Sequence, residues 1–202
     1  MAPRPSHRVL RFAAGAALFG GSLVEARRAT VPEYEARAFR LANDASDDIR
    51  VPVRAVMQAG TFVTVPAVAG VAWLAHRRRL AASLAAAGTS AWLLAKVAKR
   101  IGRRPRPSGM LADVRVREHI GGDLGWVSGH TAVATSLAVT LAPSLPRAAR
   151  PILVGIVATV GFGRMYVGAH LPLDIAGGAG LGLMISAVLP PVRAGARAIA
   201  SV

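Results

Sequence analysis

Residues 163–174 read GRMYVGAHLPLD and join the end of one apolar segment to the start of the next. A guanidinium in an apolar span costs about 2.5–3.5 kcal/mol near the bilayer centre and less towards an end, so Arg164 is expected to face a partner inside a bundle of helices. Pro172 suits the first turn of a helix, and that turn then contains Asp174. The stretch therefore predicts a helical bundle in which Asp174 lies near His170.

Three interpretations of this stretch are open on the residues alone. Asp174 can fix the tautomer of His170 and stabilise its imidazolium, which is the arrangement of a nucleophile and its orienting group. Arg164 and Asp174 can instead form a structural ion pair. The third interpretation is a metal site of His and Asp. We predict no metal, because such a site needs more ligands and only Asp123 and His119 are further candidates on this face.

The segment WVSGHT at residues 126–131 lies before another apolar stretch. Ser128 suits a helix N-cap, and the free N–H groups of a first helical turn form an anion site. Gly129 lets an anion approach the backbone. His130 then lies beside that anion, where it can donate a proton to a leaving oxygen. The alternative is an ordinary capped helix with an interfacial histidine.

The segment KRIGRRPRP begins at Lys99. Gly102 is expected to stop a helix, and the prolines force an extended exit. Lys99 on the last turn and Arg106 on the exit can converge on one anion, Lys99 as a point charge and Arg106 as a bidentate fork. The register is open, because Lys96 can replace Lys99 and Arg104 can replace Arg106. A polybasic patch on anionic lipid headgroups is the alternative.

The composition favours a membrane protein. The 202 residues are 53% hydrophobic, yet 25 Lys and Arg against 10 Asp and Glu give a formal charge of +15. A soluble nucleic-acid binder is rarely so apolar, whereas a multi-pass protein with arginine-rich ends and loops fits both observations. The length fits a single domain over residues 1–202. Because Cys is absent, disulfides, cysteine zinc sites and thiol nucleophiles are excluded.

The apolar segments predict an all-α transmembrane bundle of about six helices, with its core at residues 57–190. They cover Phe12–Val24, Met57–Ala75, Leu80–Ala98, Val127–Leu145, Pro151–Ala169 and Pro172–Pro190. The last five approach the ~20 residues that cross a bilayer. The first can also be read as a signal peptide with a permissive cleavage site at Val24-Glu25-Ala26, although we favour a retained helix.

The distribution of arginines predicts the orientation in the membrane. With a cytoplasmic N-terminus, the short cytoplasmic ends and turns collect Arg4, Arg8, Arg11, Arg77, Arg78, Arg79, Arg147, Arg150, Arg193 and Arg197. Residues 26–56 then lie outside, with an interfacial helix expected from Val31 to Leu41. Residues 99–126 also lie outside but carry seven Lys and Arg, which a bound phosphate would justify. All three polar stretches therefore share the extracytoplasmic face.

Together the three stretches resemble the type 2 phosphatidic acid phosphatase (PAP2) superfamily, which includes bacterial lipid phosphatases and shares its site with vanadium haloperoxidases. The family pattern is Lys-x6-Arg-Pro, Pro-Ser-Gly-His and Ser-Arg-x5-His-x3-Asp. The chain matches it in order and spacing at Lys99, Arg106, Pro107, Ser128, Gly129, His130, Arg164, His170 and Asp174. It departs at Val127, which replaces the family proline, and at Gly163, where a serine that can bond the phosphate is lost.

The resemblance implies a metal-independent, two-step phosphoryl transfer that needs no cofactor. His170 would attack phosphorus to form a phosphohistidine while Asp174 orients it. His130 would protonate the leaving group and then activate water. Fixed charges supply most of the rate in phosphoryl transfer. The phosphate oxygens would be held by Lys99, Arg106, Ser128, Arg164 and the Gly129 N–H.

The expected activity is hydrolysis of a lipid phosphate or diphosphate at the extracytoplasmic face of a bacterial inner membrane. Polyprenyl diphosphates, polyprenyl-phosphoryl sugar phosphates, phosphatidic acid and phosphatidylglycerophosphate all fit the motifs. One alternative is a vanadate-dependent peroxidase, which membrane spanning disfavours. Another is a non-catalytic lipid-phosphate binding or transport protein, which the His170–Asp174 pair disfavours. We expect no nucleic-acid partner, because the cations are spread among the spans.

Overall fold

A computed structural model describes residues 6–189, and these residues form a bundle of helices. The helices are α1 (His7–Ala26), α2 (Glu33–Asn43), α3 (Arg50–Met57), α4 (Thr64–Leu74), α5 (Arg78–Gly102), α6 (Gly129–Leu141), α7 (Arg150–Tyr166) and α8 (Pro172–Val188). Residues 6–189 contain no strand, apart from one isolated bridge between Pro105 and Leu124. The predicted all-α class is confirmed. The predictions on Arg4, Pro190, Arg193 and Arg197 lie outside the described residues.

The second predicted apolar segment, Met57–Ala75, is wrong as a continuous helix. α3 ends at Met57 and α4 begins only at Thr64, and the helical stretches Asp47–Gly60 and Thr64–Leu74 are bent by 69° against each other. At the break, the Thr61 hydroxyl donates to the Gln58 carbonyl oxygen at 2.8 Å. Gly60 lies so close to α6 that a Cβ would be 2.6 Å from the His130 carbonyl oxygen. The break therefore brings the backbone of Gly60 against the first turn of α6, a contact that no local sequence signal predicts.

Three helical segments of the described chain are long and apolar enough to cross a membrane: α1, α5 and residues 147–166, which include α7. The bent pair of α3 and α4 adds a fourth candidate. α8 is apolar but has 17 residues, and α6 has 13. Both short helices begin beside fully buried residues, Ser128 and Leu171. They are short because their N-termini lie inside the protein, where the polar stretches meet.

α8 packs closely against both α1 and α6. A Cβ at Gly180 would lie 2.6 Å from the Gly15 carbonyl oxygen of α1, and a Cβ at Gly182 would lie 2.7 Å from the Ala132 carbonyl oxygen of α6. Small residues let helix backbones approach closely in membranes. The glycines within residues 177–182 therefore let α8 pack closely against both neighbouring helices.

The charged segment before α4 contains α2, which begins and ends two residues later than the interfacial helix expected from Val31 to Leu41. One face of α2 is buried and carries Glu35, Phe39 and Asn43, each four residues apart. This face packs against α7 and α8. The Asn43 amide donates to the Arg115 carbonyl oxygen at 3.0 Å. α2 is therefore docked on the bundle, at the end where the three polar stretches meet.

Candidate active site

The C-terminal ends of α5 and α7 and the N-terminal ends of α6 and α8 meet around a cavity of ≈ 440 Å³. Six of the eight predicted site residues line this cavity: Lys99, Arg106, Gly129, His130, Arg164 and His170. The other two, Ser128 and Asp174, are fully buried and do not line it. The three polar stretches, which are far apart in the chain, thus meet in one place.

Lys99 reaches the cavity from the last turn of α5. The helix ends at Gly102, as predicted, and Arg103 follows in a left-handed conformation with φ of 51°. The Lys99 ammonium donates to the carbonyl oxygens of Leu124 and Gly125 at 3.0 and 2.8 Å. An ammonium has three N–H donors, so one donor remains for a ligand.

Arg106 reaches the same cavity from the extended chain after α5. Its Nε donates to the Gly122 carbonyl oxygen at 2.6 Å, its Nη1 to that of Ala169 at 2.8 Å and its Nη2 to that of Gly121 at 2.9 Å. A guanidinium has five N–H donors, so two remain. These bonds also hold the loop after α5 against the turn that carries His170.

The two register alternatives occupy different environments. Arg104 is buried away from the cavity, and its guanidinium contacts Glu35 and Asp174. Lys96 lines the cavity, but its ammonium lies 3.3 Å from the centroid of the Trp92 ring. The geometry therefore favours Arg106 over Arg104 as a cation for a ligand, and it leaves Lys96 on the cavity wall one turn before Lys99.

The start of α6 is capped as predicted. The Ser128 Oγ accepts from the Thr131 N–H at 3.4 Å and from the Thr131 hydroxyl at 3.1 Å. The Ser128 N–H donates to the main-chain oxygen of Asp174 at 2.9 Å. The N-terminal ends of α6 and α8 are thus bonded together. His130, the second residue of α6, lines the cavity beside Gly129.

Arg164 is a buried cation near the C-terminal end of α7. Its Nη1 donates to Glu118 Oε1 at 2.5 Å and contacts the Met57 sulfur at 3.6 Å. Its buried Nε has no hydrogen-bond partner within residues 6–189. The alternative interpretation of a structural ion pair between Arg164 and Asp174 is wrong, because each pairs with a different residue. The partner of Arg164 is Glu118, which lies in the loop between α5 and α6.

His170 and Asp174 face each other across the start of α8. The His170 Nδ1 lies 3.4 Å from Asp174 Oδ2. The same oxygen accepts the Leu171 N–H at 2.9 Å, and Asp174 Oδ1 accepts from Arg104 at 3.2 Å. The main-chain N–H of His170 donates to the Arg164 carbonyl oxygen at 3.2 Å. The backbone of this turn is therefore bonded to the end of α7, while the imidazole faces the Asp174 carboxylate.

The turn between α7 and α8 keeps His170 buried and close to positively charged side chains. Gly168 has a φ of 79°, which favours glycine, and a Cβ there would lie 2.6 Å from the Arg115 carbonyl oxygen. Burial, and then the charges of Lys99, Arg164 and Arg106, hold the pKa of His170 well below its usual value. The imidazole is therefore neutral, with a lone pair available for attack.

Two residues in this region, Glu35 and Glu118, were not predicted as parts of the site. Glu35 forms a buried pair with Arg104 behind Asp174, and Glu118 pairs with Arg164. Glu35 had a usable signal, since it lies on the apolar face of α2 with Phe39. Glu118 had none, because nothing in its loop shows which of the nearby arginines it meets.

The cavity combines fixed cations with two histidines. Lys99, Arg106 and Arg164 surround it, and Glu118 is the acidic side chain among its lining residues. Within residues 6–189, no three His, Asp or Glu side chains lie close enough together to hold a metal ion. An excess of fixed positive charge with unused N–H donors suits a phosphate group.

The chain is similar to known proteins in sequence and in fold. A sequence profile of the PAP2 superfamily matches residues 63–197. Undecaprenyl-diphosphatase of Sulfolobus acidocaldarius is 29% identical over 127 residues. That alignment covers 62% of this chain and 61% of the relative, so the chain spans less than two thirds of the relative's length.

Two crystal structures share the fold. Aquifex aeolicus LpxE has a TM-score of 0.71 and 24% identity, over 78% of this chain and 95% of LpxE. The transmembrane PAP2-type phosphatidylglycerolphosphate phosphatase of Bacillus subtilis has a TM-score of 0.65 and 21% identity, over 86% of this chain and 92% of that protein. At these identities the similarity establishes only the fold. The chemistry depends on the residues that line the cavity.

Proposed function

The chain belongs to the PAP2 superfamily, and on that premise we propose that it is a membrane phosphatase acting on a lipid phosphate or diphosphate. One observation carries the proposal. Lys99 and Arg106 keep N–H donors beyond those bonded to backbone carbonyl oxygens, and both residues line the cavity together with Arg164 and His170. A phosphate group supplies the acceptor oxygens that these donors lack within the described residues.

The first step transfers the phosphoryl group to His170. Because Nδ1 faces Asp174, the free Nε2 is the attacking atom. The N–P bond forms as the bond between phosphorus and the leaving oxygen breaks. His130, kept protonated by the negative charge of the bound phosphate, gives that oxygen its proton. Asp174 stabilises the positive charge that develops on the His170 ring.

The second step returns the histidine to its starting state. His130, now without its proton, takes a proton from water, whose oxygen attacks phosphorus. The N–P bond breaks and inorganic phosphate leaves. Throughout, the cations around the cavity hold the equatorial oxygens, where negative charge develops. No step requires a metal ion.

The walls of the cavity support a lipid substrate. Next to Lys96, the cavity is lined by Phe62, two residues before α4, and by Trp92 on α5, and the centroids of the two rings are 4.6 Å apart. Phe62 is 40% exposed in the described chain, so this edge suits a surface that faces lipid. A phosphate can occupy the cationic end while its hydrocarbon tail passes these rings and remains in the bilayer.

The proposed substrates are polyprenyl diphosphates and phosphatidate-type lipids. The name of the Sulfolobus relative specifies undecaprenyl diphosphate as its substrate, and the name of the Bacillus protein specifies phosphatidylglycerolphosphate. We place the cavity on the extracytoplasmic face of a bacterial inner membrane. The exposed arginine clusters at residues 77–79 and at 147 and 150 lie at the opposite ends of α5 and α7, which the positive-inside rule assigns to the cytoplasm.

Phosphate release from a panel of these lipids tests the proposed function. We expect the purified protein in detergent to release phosphate from at least one of them at the same rate with and without a chelator of divalent metals. The reason is that the charge for the transition state comes from side chains that a chelator does not remove. Binding of every lipid without phosphate release, or a requirement for a divalent metal, would contradict the proposal.

A further inference from the structure

Three buried charged groups form a chain behind His170: Glu35, Arg104 and Asp174, which are 0%, 2% and 0% exposed. Arg104 Nη1 donates to Glu35 Oε1 at 2.9 Å, and Arg104 Nη2 donates to Glu35 Oε2 at 2.5 Å. Arg104 Nη1 also donates to Asp174 Oδ1 at 3.2 Å. Neither Glu35 nor Arg104 lines the cavity. Arg104 therefore reaches the site through its contact with Asp174.

The contacts assign the two oxygens of Asp174 to different partners. Oδ1 accepts from Arg104, while Oδ2 accepts a backbone N–H and faces the His170 ring. Glu35 Oε1 also accepts the Leu173 N–H from the first turn of α8, at 2.9 Å. Glu35 thus holds both Arg104 and the turn that carries Asp174. The plane of the Asp174 carboxylate is held by bonds to both of its oxygens.

The charges of the three groups decide how much negative charge faces His170. Arg104 alone would cancel the charge of Asp174. Because Glu35 pairs with Arg104 at two points, the three groups together carry one net negative charge. A buried charge is costly unless it is paired, and the remaining negative charge stabilises the positive ring of His170 during transfer.

Building on the phosphatase function proposed above, we propose that Glu35 and Arg104 are positioning residues for the reaction. They hold the Asp174 carboxylate towards His170 and keep its net negative charge available to the ring. Glu35 lies on α2, outside residues 63–197 that match the family profile. The segment before the matched region therefore supports the active site directly, and this role accounts for a buried carboxylate on the apolar face of α2.

Other charged groups also surround His170 and Asp174. They come from α5, α6, α7 and the loop between α5 and α6, and they are Lys99, His130, Arg164, Arg106, Glu118 and Asp123. Variants of Glu35 and Arg104 leave all of these groups in place. A difference in the pH dependence of activity between such variants therefore measures the effect of the Glu35–Arg104 pair on the site.

The Glu35→Gln variant removes one negative charge and keeps the size of the side chain. We expect kcat to fall about 10- to 100-fold with KM within about twofold, because the carboxylate behind the nucleophile is then neutralised by Arg104. The acid limb of kcat/KM is expected to move to lower pH by about one unit, since the ring of His170 loses a favourable charge for its protonated form.

The Arg104→Met variant is expected to shift the acid limb in the opposite direction. It leaves Glu35 and Asp174 as two buried carboxylates without their shared cation. The ring of His170 then faces more negative charge and binds a proton more readily, so the acid limb moves to higher pH. The double variant Glu35→Gln/Arg104→Met restores one net negative charge. We expect its acid limb to return towards that of the wild type and its kcat to exceed that of either single variant.

Glu33→Gln is the matched control, because Glu33 lies on the same helix and its ion pair with Arg37 is exposed. It is expected to behave as the wild type. A second test separates position from charge: Arg104→Lys keeps the cation but not the two-point contact, so kcat should fall while the acid limb stays in place. This variant and the double variant test the proposal even where Glu35→Gln is not recovered in folded form.

The outcomes distinguish this inference from the function on which it rests. Opposite shifts of the acid limb in the two single variants support it. Equal acid limbs in all folded variants, with kcat lowered only in proportion to the folded fraction, would assign Glu35 and Arg104 to stability alone. In that case phosphate release by the wild type still supports a phosphatase. A wild-type protein that releases no phosphate from any lipid of the panel would overturn the proposed function itself.

Discussion

His170→Ala is expected to reduce phosphate release from a lipid phosphate by about 10⁴-fold or more, because the variant lacks the nucleophile of the first step. His170 is buried at the wall of the cavity, and its Nδ1 faces only the carboxylate of Asp174 across 3.4 Å. No other histidine in the cavity has a carboxylate in this arrangement within the described residues. The remaining rate should approach the rate of hydrolysis without a nucleophilic side chain, in a cavity that still binds and orients the phosphate.

The matched control for this variant is His76→Ala. His76 is exposed in the turn just before α5, and Lys99 lies roughly 30 Å along that helix from its first residue at a rise of about 1.5 Å per residue. It is expected to retain the activity of the wild type. Binding of a lipid phosphate to His170→Ala, measured separately, should persist because the cations remain. A His170→Ala protein that is folded and releases phosphate at more than a tenth of the wild-type rate would contradict the proposed mechanism.

Arg164→Gln is expected to reduce kcat/KM by about 10²- to 10³-fold, the usual cost of removing one fixed donor from a developing negative charge. The loss has two causes in this cavity. The cation of Arg164 disappears from the cavity wall, and Glu118 keeps its negative charge there without its partner. Because Glu118 would then repel the phosphate, adding Glu118→Gln to this variant is expected to recover about tenfold of the loss.

The control for Arg164 is Arg147→Gln, which removes an exposed arginine near the opposite end of α7. It should not change kcat/KM. Steady-state kinetics on the same lipid, normalised to folded protein, measure all three variants. If Arg164→Gln changes kcat/KM by less than about threefold, Arg164 does not hold the reacting phosphate and serves only to pair with Glu118.

Much of the fold could be predicted because it follows from local signals. Gly102 ends α5, Ser128 caps α6 and Pro172 opens α8, and each signal acts within one turn of its helix. The break between α3 and α4 could not be predicted in this way. It depends on the contact of Gly60 with α6, about 70 residues later in the chain.

The general position of the cavity could also be predicted, because local signals near the helix ends mark it. The spacing of Lys99 and Arg106 places both near the end of one helix, but spacing alone does not separate Arg106 from Arg104. The difference is decided by Glu35, which lies 69 residues before Arg104 in the chain and binds it in the interior. Pairings between distant residues, such as Arg164 with Glu118, depend on how the helices pack.

The central claim is that the phosphoryl group passes through a covalent intermediate on His170, and the stereochemical course at phosphorus tests it most directly. The experiment hydrolyses a lipid thiophosphate, made chiral at phosphorus with oxygen isotopes, in isotopically labelled water. Two successive displacements, first by His170 and then by water, predict that the released thiophosphate retains its configuration. Inversion would show a single direct attack by water and would contradict the account.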